Sequence, residues 1–178
     1  MHRLPVVLAA SLLCASAACA FEIPSRKAGL WELKMDLGNR AIPAQVTRQC
    51  IDAATDTLML SNFGGTPQRT CKKQTSTRTS GEIVIDSVCT IAGGTTTTHT
   101  VISGDLSSAY TMRSNSKREG GPAIPGRPAR GETHITIQAK WLGPCGPGQR
   151  PGDIILSNGT KINILDLHNR GGMRPPPR

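Results

Sequence analysis

"CKKQTSTRTSGEIVIDSVC", Cys71 to Cys89, decides how the rest of the chain reads. It begins and ends on cysteine and bends at its middle, at Ser80-Gly81. The first arm is filled with polar β-branched residues, and in the second Ile83 and Ile85 alternate with polar positions, so two strands flank a turn. The turn sets residues 71 and 89 nearly opposite each other, where a cross-strand disulfide is geometrically natural.

Working outward, the alternation repeats. In "GLWELKMDL", Gly29 to Leu37, Trp31, Leu33, Met35 and Leu37 share one face and Glu32, Lys34 and Asp36 the other, the period of a half-buried strand. "AQVTRQC" ends a second strand at Cys50. Thr95–Ser103 and "SAYTMRS" read as further strands, and "THITIQAKW" sets Ile135, Ile137, Ala139 and Trp141 inward with His134, Thr136, Gln138 and Lys140 outward. "IILSNGTKINI" predicts a hairpin, with Asn158-Gly159 suited to a type I′ turn. The one expected helix follows Cys50: Asp52 is its N-cap, Leu58 and Met59 its apolar anchors, and Gly64-Gly65 its stop. The sum is a mostly all-β chain, an antiparallel meander with one short helix, expected to curl into a barrel or half-barrel to hide its apolar face and its edges.

Residues 1–20 read as a signal peptide. His2 and Arg3 precede a short apolar run, and Ala18-Cys19-Ala20 is an A-x-A cleavage site, giving expected cleavage after Ala20. The rival, lipidation at Cys19, needs a Leu-like residue three before it, where Ser16 stands. Removing the leader takes away Arg3, Cys14 and Cys19, so the charge falls from +9 to +8 and four cysteines remain. An even number in an exported chain points to disulfides, and no pair has the close spacing of a zinc site. Pairing Cys71 with Cys89 leaves Cys50 with Cys145; the competing arrangement joins Cys50 to Cys71 and Cys89 to Cys145. The expected organisation is a single domain over residues 21–166, carrying a long loop over 114–131, and a disordered basic tail over 167–178. No stretch beyond the leader is long and apolar enough to span a membrane.

Chemistry is thinly represented. "WLGPCGPG", Trp141 to Gly148, is close to a thioredoxin active-site string, but Leu142 replaces the first cysteine and no βαβ pattern surrounds it, so Cys145 reads as a staple. His99 and His134 lack a third ligand at supporting spacing, no G-x-S-x-G elbow occurs, and Asp52 and Asp56 suit a helix cap and a wet face. Gly93-Gly94 and Gly120-Gly121 lack the Lys-Ser/Thr of a phosphate loop. No enzyme activity, cofactor or metal is expected.

Two binding readings remain. Trp31, Met35, Ile135, Ile137 and Trp141 would line the inner face of a curled sheet and hold an apolar or amphiphilic small molecule, or a partner protein. Alternatively Arg113, Lys117, Arg118, Arg127 and Arg130 form an anion-binding loop that docks on envelope lipid, lipopolysaccharide or another acidic envelope surface. Nucleic acid is not expected, because the chain is exported and its aromatic fraction of 3% offers few stacking platforms.

The landmarks also resemble a widespread proteobacterial periplasmic family, domain of unknown function thirty-six-seventeen. The resemblance rests on "SRKAGLWELKMDL", "RQCIDAATD", the cysteine pair around Ser80-Gly81, Gly104-Asp105 with Tyr110, and "WLGPC". It covers roughly Arg26 to Cys145 and implies export, disulfides and a β-rich domain. It implies no activity and supplies no catalytic residues.

Overall fold

The computed structural model describes residues 23–38, 43–63, 71–123 and 130–169. Nine strands form one antiparallel sheet: β1 Gly29–Asp36, β2 Gln45–Ile51, β3 Cys71–Thr79, β4 Glu82–Ile91, β5 Gly94–Asp105, β6 Ala109–Glu119, β7 Gly131–Gly143, β8 Asp153–Ile155 and β9 Lys161–Asn163. Their spatial order is β3-β4-β5-β6-β7-β1-β2-β8-β9. The sheet is open, with β3 and β9 at its edges, so it does not close into a barrel.

Strands β3 to β7 form a meander, and the turns joining β3 to β4, β4 to β5 and β5 to β6 are short. Ser80 and Gly81 both take left-handed backbone (φ 48° and 87°), as do Ala92 and Gly93 (φ 45° and 74°). That pair of angles matches the twist of two-residue hairpins. The Asn158-Gly159 loop differs from its expected type I′ form. Among its residues only Gly159 is left-handed (φ 81°). Leu156 N–H donates to Thr160 O (2.9 Å), and Gly159 N–H to Leu156 O (2.9 Å), making a three-residue loop.

Among the described residues two helices, rather than one, cover part of the sheet. Helix α1, Ala53–Phe63, starts at Asp52 as expected: Thr55 N–H donates to Asp52 Oδ1 (2.8 Å) and Asp52 N–H to Thr55 Oγ1 (3.0 Å). This reciprocal cap satisfies two of the orphan donors at the helix start. Its expected stop, Gly64-Gly65, lies outside the described residues. Helix α2, Ile164–Asn169, follows β9 directly, where Asn163 Oδ1 accepts from Leu165 N–H (2.9 Å). The core sits beneath these helices: Trp31, Leu33, Ile51, Met59, Ala139, Ile154 and Ile164 are all buried and in mutual contact.

The stretch 114–131 begins as strand, not loop. β6 runs on to Glu119, paired with β5 as far as Glu119 and with β7 as far as Arg118. Its inner positions there are Ser114 and Ser116, whose hydroxyls pair with Thr100 and Thr98 across β5, each at 3.0 Å. Polar side chains on both faces erased the alternation that marks a strand. Residues 124–129 and 170–178 lie outside the described residues, and 167–169 belong to α2.

Both disulfides have the expected partners. Cys71 and Cys89 are directly opposed on β3 and β4, with Cα atoms 3.8 Å apart. Cys50 at the end of β2 joins Cys145 beyond β7, with Cα atoms 5.5 Å apart and a sequence separation of 95.

Candidate functional site

The inner face of the sheet divides into zones that strand register makes explicit. One row crosses five strands as directly opposed partners: Ile83 on β4, Ile102 on β5, Met112 on β6, Ile137 on β7 and Met35 on β1. Ile83 and Ile102 are buried; Met112, Ile137 and Met35 are half-buried. The next row holds Ile85, Thr100, Ser114 and Ile135.

The row ends in a cleft of about 310 Å³ at the hairpin end of the sheet. Its apolar lining includes Ile83, Ile102 and Leu106, and its polar lining Ser25, Arg78, Asp105 and Ser107. Asp105 is held as a carboxylate: the Ser107 hydroxyl and N–H and the Ser108 hydroxyl all donate to it, which keeps its carboxyl below the usual range. One wall is the segment Pro24–Ser25 that leads into β1.

That wall is anchored by residues the sequence did not reveal. Arg26 is buried, and its Nε donates to Asp56 Oδ1 (2.7 Å) while its own N–H donates to Asp56 Oδ2 (2.7 Å). Its Nη2 donates to Gln49 Oε1 (3.1 Å) and Nη1 to the Tyr110 hydroxyl (3.4 Å). Burial pushes the Tyr110 phenol up, against the opposing pull of the Arg26 charge. Lys27 N–H bonds Leu106 O (3.0 Å), tying the segment to the β5–β6 turn. Asp56, expected on a wet face, has no exposed surface. The only sequence signal was an acid in the first turn of a helix, which reads equally well as a dipole partner.

The five residues expected to face a ligand separate. Trp31 is 0% exposed and belongs to the core, because α1 packs over it and its ring N–H is used by Lys27 O (2.7 Å). Trp141 is half-buried; its ring N–H donates to Ala28 O (3.1 Å) and Lys27 Nζ sits 3.6 Å from a ring centroid. Met35 and Ile137 lie in the apolar row and Ile135 in the row beside it.

The basic residues do not form one patch. Arg113 is exposed on the outer face, and Lys117 there pairs with Glu119 (3.0 Å), whose hydrogen bond and charge raise the lysine's pKa. Arg118 faces inward and is buried. Arg130 is exposed at the start of β7, and Arg127 lies outside the described residues.

His99 and His134 share the outer face but are separated by Asn115 on β6. His99 Nδ1 pairs with Asp86 (2.7 Å) and His134 Nδ1 with Asn115 (2.7 Å). Among the described residues no group of three or more His, Cys, Asp or Glu could hold a metal. Among them, too, no helix is long and apolar enough to cross a membrane.

Fold and site together define a disulfide-stapled, open antiparallel sheet with a small amphiphilic cleft. The chain belongs to the family described as protein of unknown function (DUF3617), whose model matches residues 26–145. The matched span opens at the buried Arg26 and closes at the disulfide-bonded Cys145. No curated protein and no solved structure matches the chain. The paired cysteines are consistent with an oxidising, extracytoplasmic location.

Proposed function

We propose that this protein is a non-enzymatic periplasmic binding protein that takes an apolar or amphiphilic small molecule against the inner face of its sheet. In this reading the chain is exported by the segment over residues 1–20, cleaved after Ala20, and oxidised after export. The observation that carries the reading is the row Ile83–Ile102–Met112–Ile137–Met35, whose end at Ile83 and Ile102 lines a cleft of mixed apolar and polar character. Small-molecule sites commonly combine a mostly apolar lining with a few placed polar groups. A lining that includes Arg78 and Asp105 suits a molecule with a polar or charged end.

The alternative, docking on an acidic surface through a basic loop, draws less support. It needs the cations to converge, whereas Arg118 points inward and Lys117 is paired with Glu119.

The test is a titration with a fluorescent apolar probe, N-phenyl-1-naphthylamine, on the oxidised protein and on Ile102→Asp. Saturable binding that the variant lowers at least tenfold supports the reading; equal binding by both proteins, or none by either, contradicts it.

A further inference from the structure

Arg118 on β6 faces inward and is 7% exposed. Its guanidinium is gripped by two turns: Nη1 donates to Ile91 O (2.9 Å), and Nη2 lies 3.5 Å from both Ala92 O and Pro122 O. Two glycines permit the grip. A Cβ on Gly94 would lie 2.8 Å from Nη2, and one on Gly121 2.9 Å from it. Gly94 and Gly121, one from each of the glycine pairs that fit no phosphate loop, are therefore the walls of an arginine clamp.

The clamp leaves a deficit. Carbonyl dipoles satisfy the two Nη groups, but among the described residues no carboxylate meets this buried cation. Its Nε–H has no acceptor. Directly opposite on β5 stands Thr96, also 7% exposed, whose hydroxyl has no partner either. These two atoms are the buried side-chain polar atoms without a partner among the described residues, and they sit on facing residues of adjacent strands. An unpaired buried donor is costly, and a buried charge without a counter-ion costs more. Nε–H can only donate, and the threonine hydroxyl can also donate. Two donors and one uncompensated positive charge call for an acceptor that carries negative charge.

We propose that Arg118 and Thr96 form a subsite for an oxyanion, receiving one phosphate or carboxylate oxygen between Arg118 Nε–H and the Thr96 hydroxyl. The subsite is independent of the cleft: along β6 it stands six residues from Met112, roughly 20 Å at a strand's rise per residue, with the Thr98–Ser116 and Thr100–Ser114 hydroxyl pairs between. The two readings can therefore fail separately.

The test follows the side-chain Nε–H resonance of Arg118 by NMR in the full oxidised protein. The titrants are inorganic phosphate, acetate, and dodecyl phosphate below its micelle concentration. The subsite predicts a saturable shift with at least one of them. It also predicts about tenfold weaker binding in Thr96→Val, the worth of one hydrogen bond to a charged group. Thr96→Val keeps the side-chain volume and leaves the carbonyl clamp in place, and an unchanged backbone spectrum verifies its fold. A response to phosphate or acetate equal to that of dodecyl phosphate assigns a free anion. A tighter response to dodecyl phosphate that also moves the Ile102 and Met112 methyls assigns a headgroup. A resonance that no titrant moves, as when an ordered water fills the gap, overturns the proposal, as does equal binding by Thr96→Val.

Discussion

Arg26 and Asp56 are thirty residues apart in sequence and meet through two 2.7 Å hydrogen bonds, with 6% and 0% of their surfaces exposed. One of those bonds uses the Arg26 backbone, so the pair fixes the chain entering β1 as well as the side chain. It joins that chain to α1, and thereby sets the wall of the cleft at Pro24–Ser25.

Breaking this pair from one side should be costly. Asp56→Ala strands a buried guanidinium, and Arg26→Ala strands a buried carboxylate; each is expected to lose about 3–5 kcal/mol. Removing both should cost clearly less than the sum of the two. Urea unfolding of the four proteins measures the cycle, and single variants within about 1 kcal/mol of wild type would show the pair to be energetically idle.

Acid should weaken the start of α1. Asp52 is held below the usual carboxylate range, chiefly by the Thr55 N–H and then by its hydroxyl. A depressed folded-state pKa contributes stability above the unfolded value, near 3.9, and loses it as pH falls through the folded value. Asp52→Ala is therefore expected to cost about 1 kcal/mol at neutral pH, a difference that shrinks below about pH 4. Paired melts of wild type and variant across pH check this, and a penalty that grows in acid would reverse the sign.

The two disulfides should differ in worth. In the chain-entropy model the Cys71–Cys89 closure, spanning 18 residues, is worth about 3 kcal/mol, and the Cys50–Cys145 closure, spanning 95, between about 4 and 5. Double alanine variants of each pair, unfolded in urea without reductant, test the order. A larger loss from the short loop would show that native packing, not the unfolded chain, sets the values.

Trp31 should behave as core rather than as a ligand contact. Trp31→Ala is expected to cost about 3–5 kcal/mol through the cavity it leaves. Trp31→Phe should retain probe binding while Ile102→Asp loses it, which a titration of both variants reads directly.

Much of this was legible in the sequence, and the reasons for the misses are local. The hairpin from Cys71 to Cys89 could be read because its contacts are close in sequence and its turn residues have a distinct chemistry. β1 and β7 could be read because one face of each is apolar. The end of β6 could not, since Ser114, Ser116 and Arg118 face inward where apolar residues are the usual signal. Helix α2 was hidden because its six residues continue the apolar run of a strand. Neither the Arg26–Asp56 pair nor the alignment of Ile83 with Met35 four strands away has a local sequence signature. Both arise only once the register is set.

The most direct test of the binding reading is native mass spectrometry of the protein extracted gently from its own cell envelope, beside Ile102→Asp prepared the same way. The account predicts a mature chain starting at Phe21 with two disulfides, carrying a bound molecule at fixed stoichiometry that the variant lacks. Ligand-free protein in both samples, or the same bound mass in both, would contradict it.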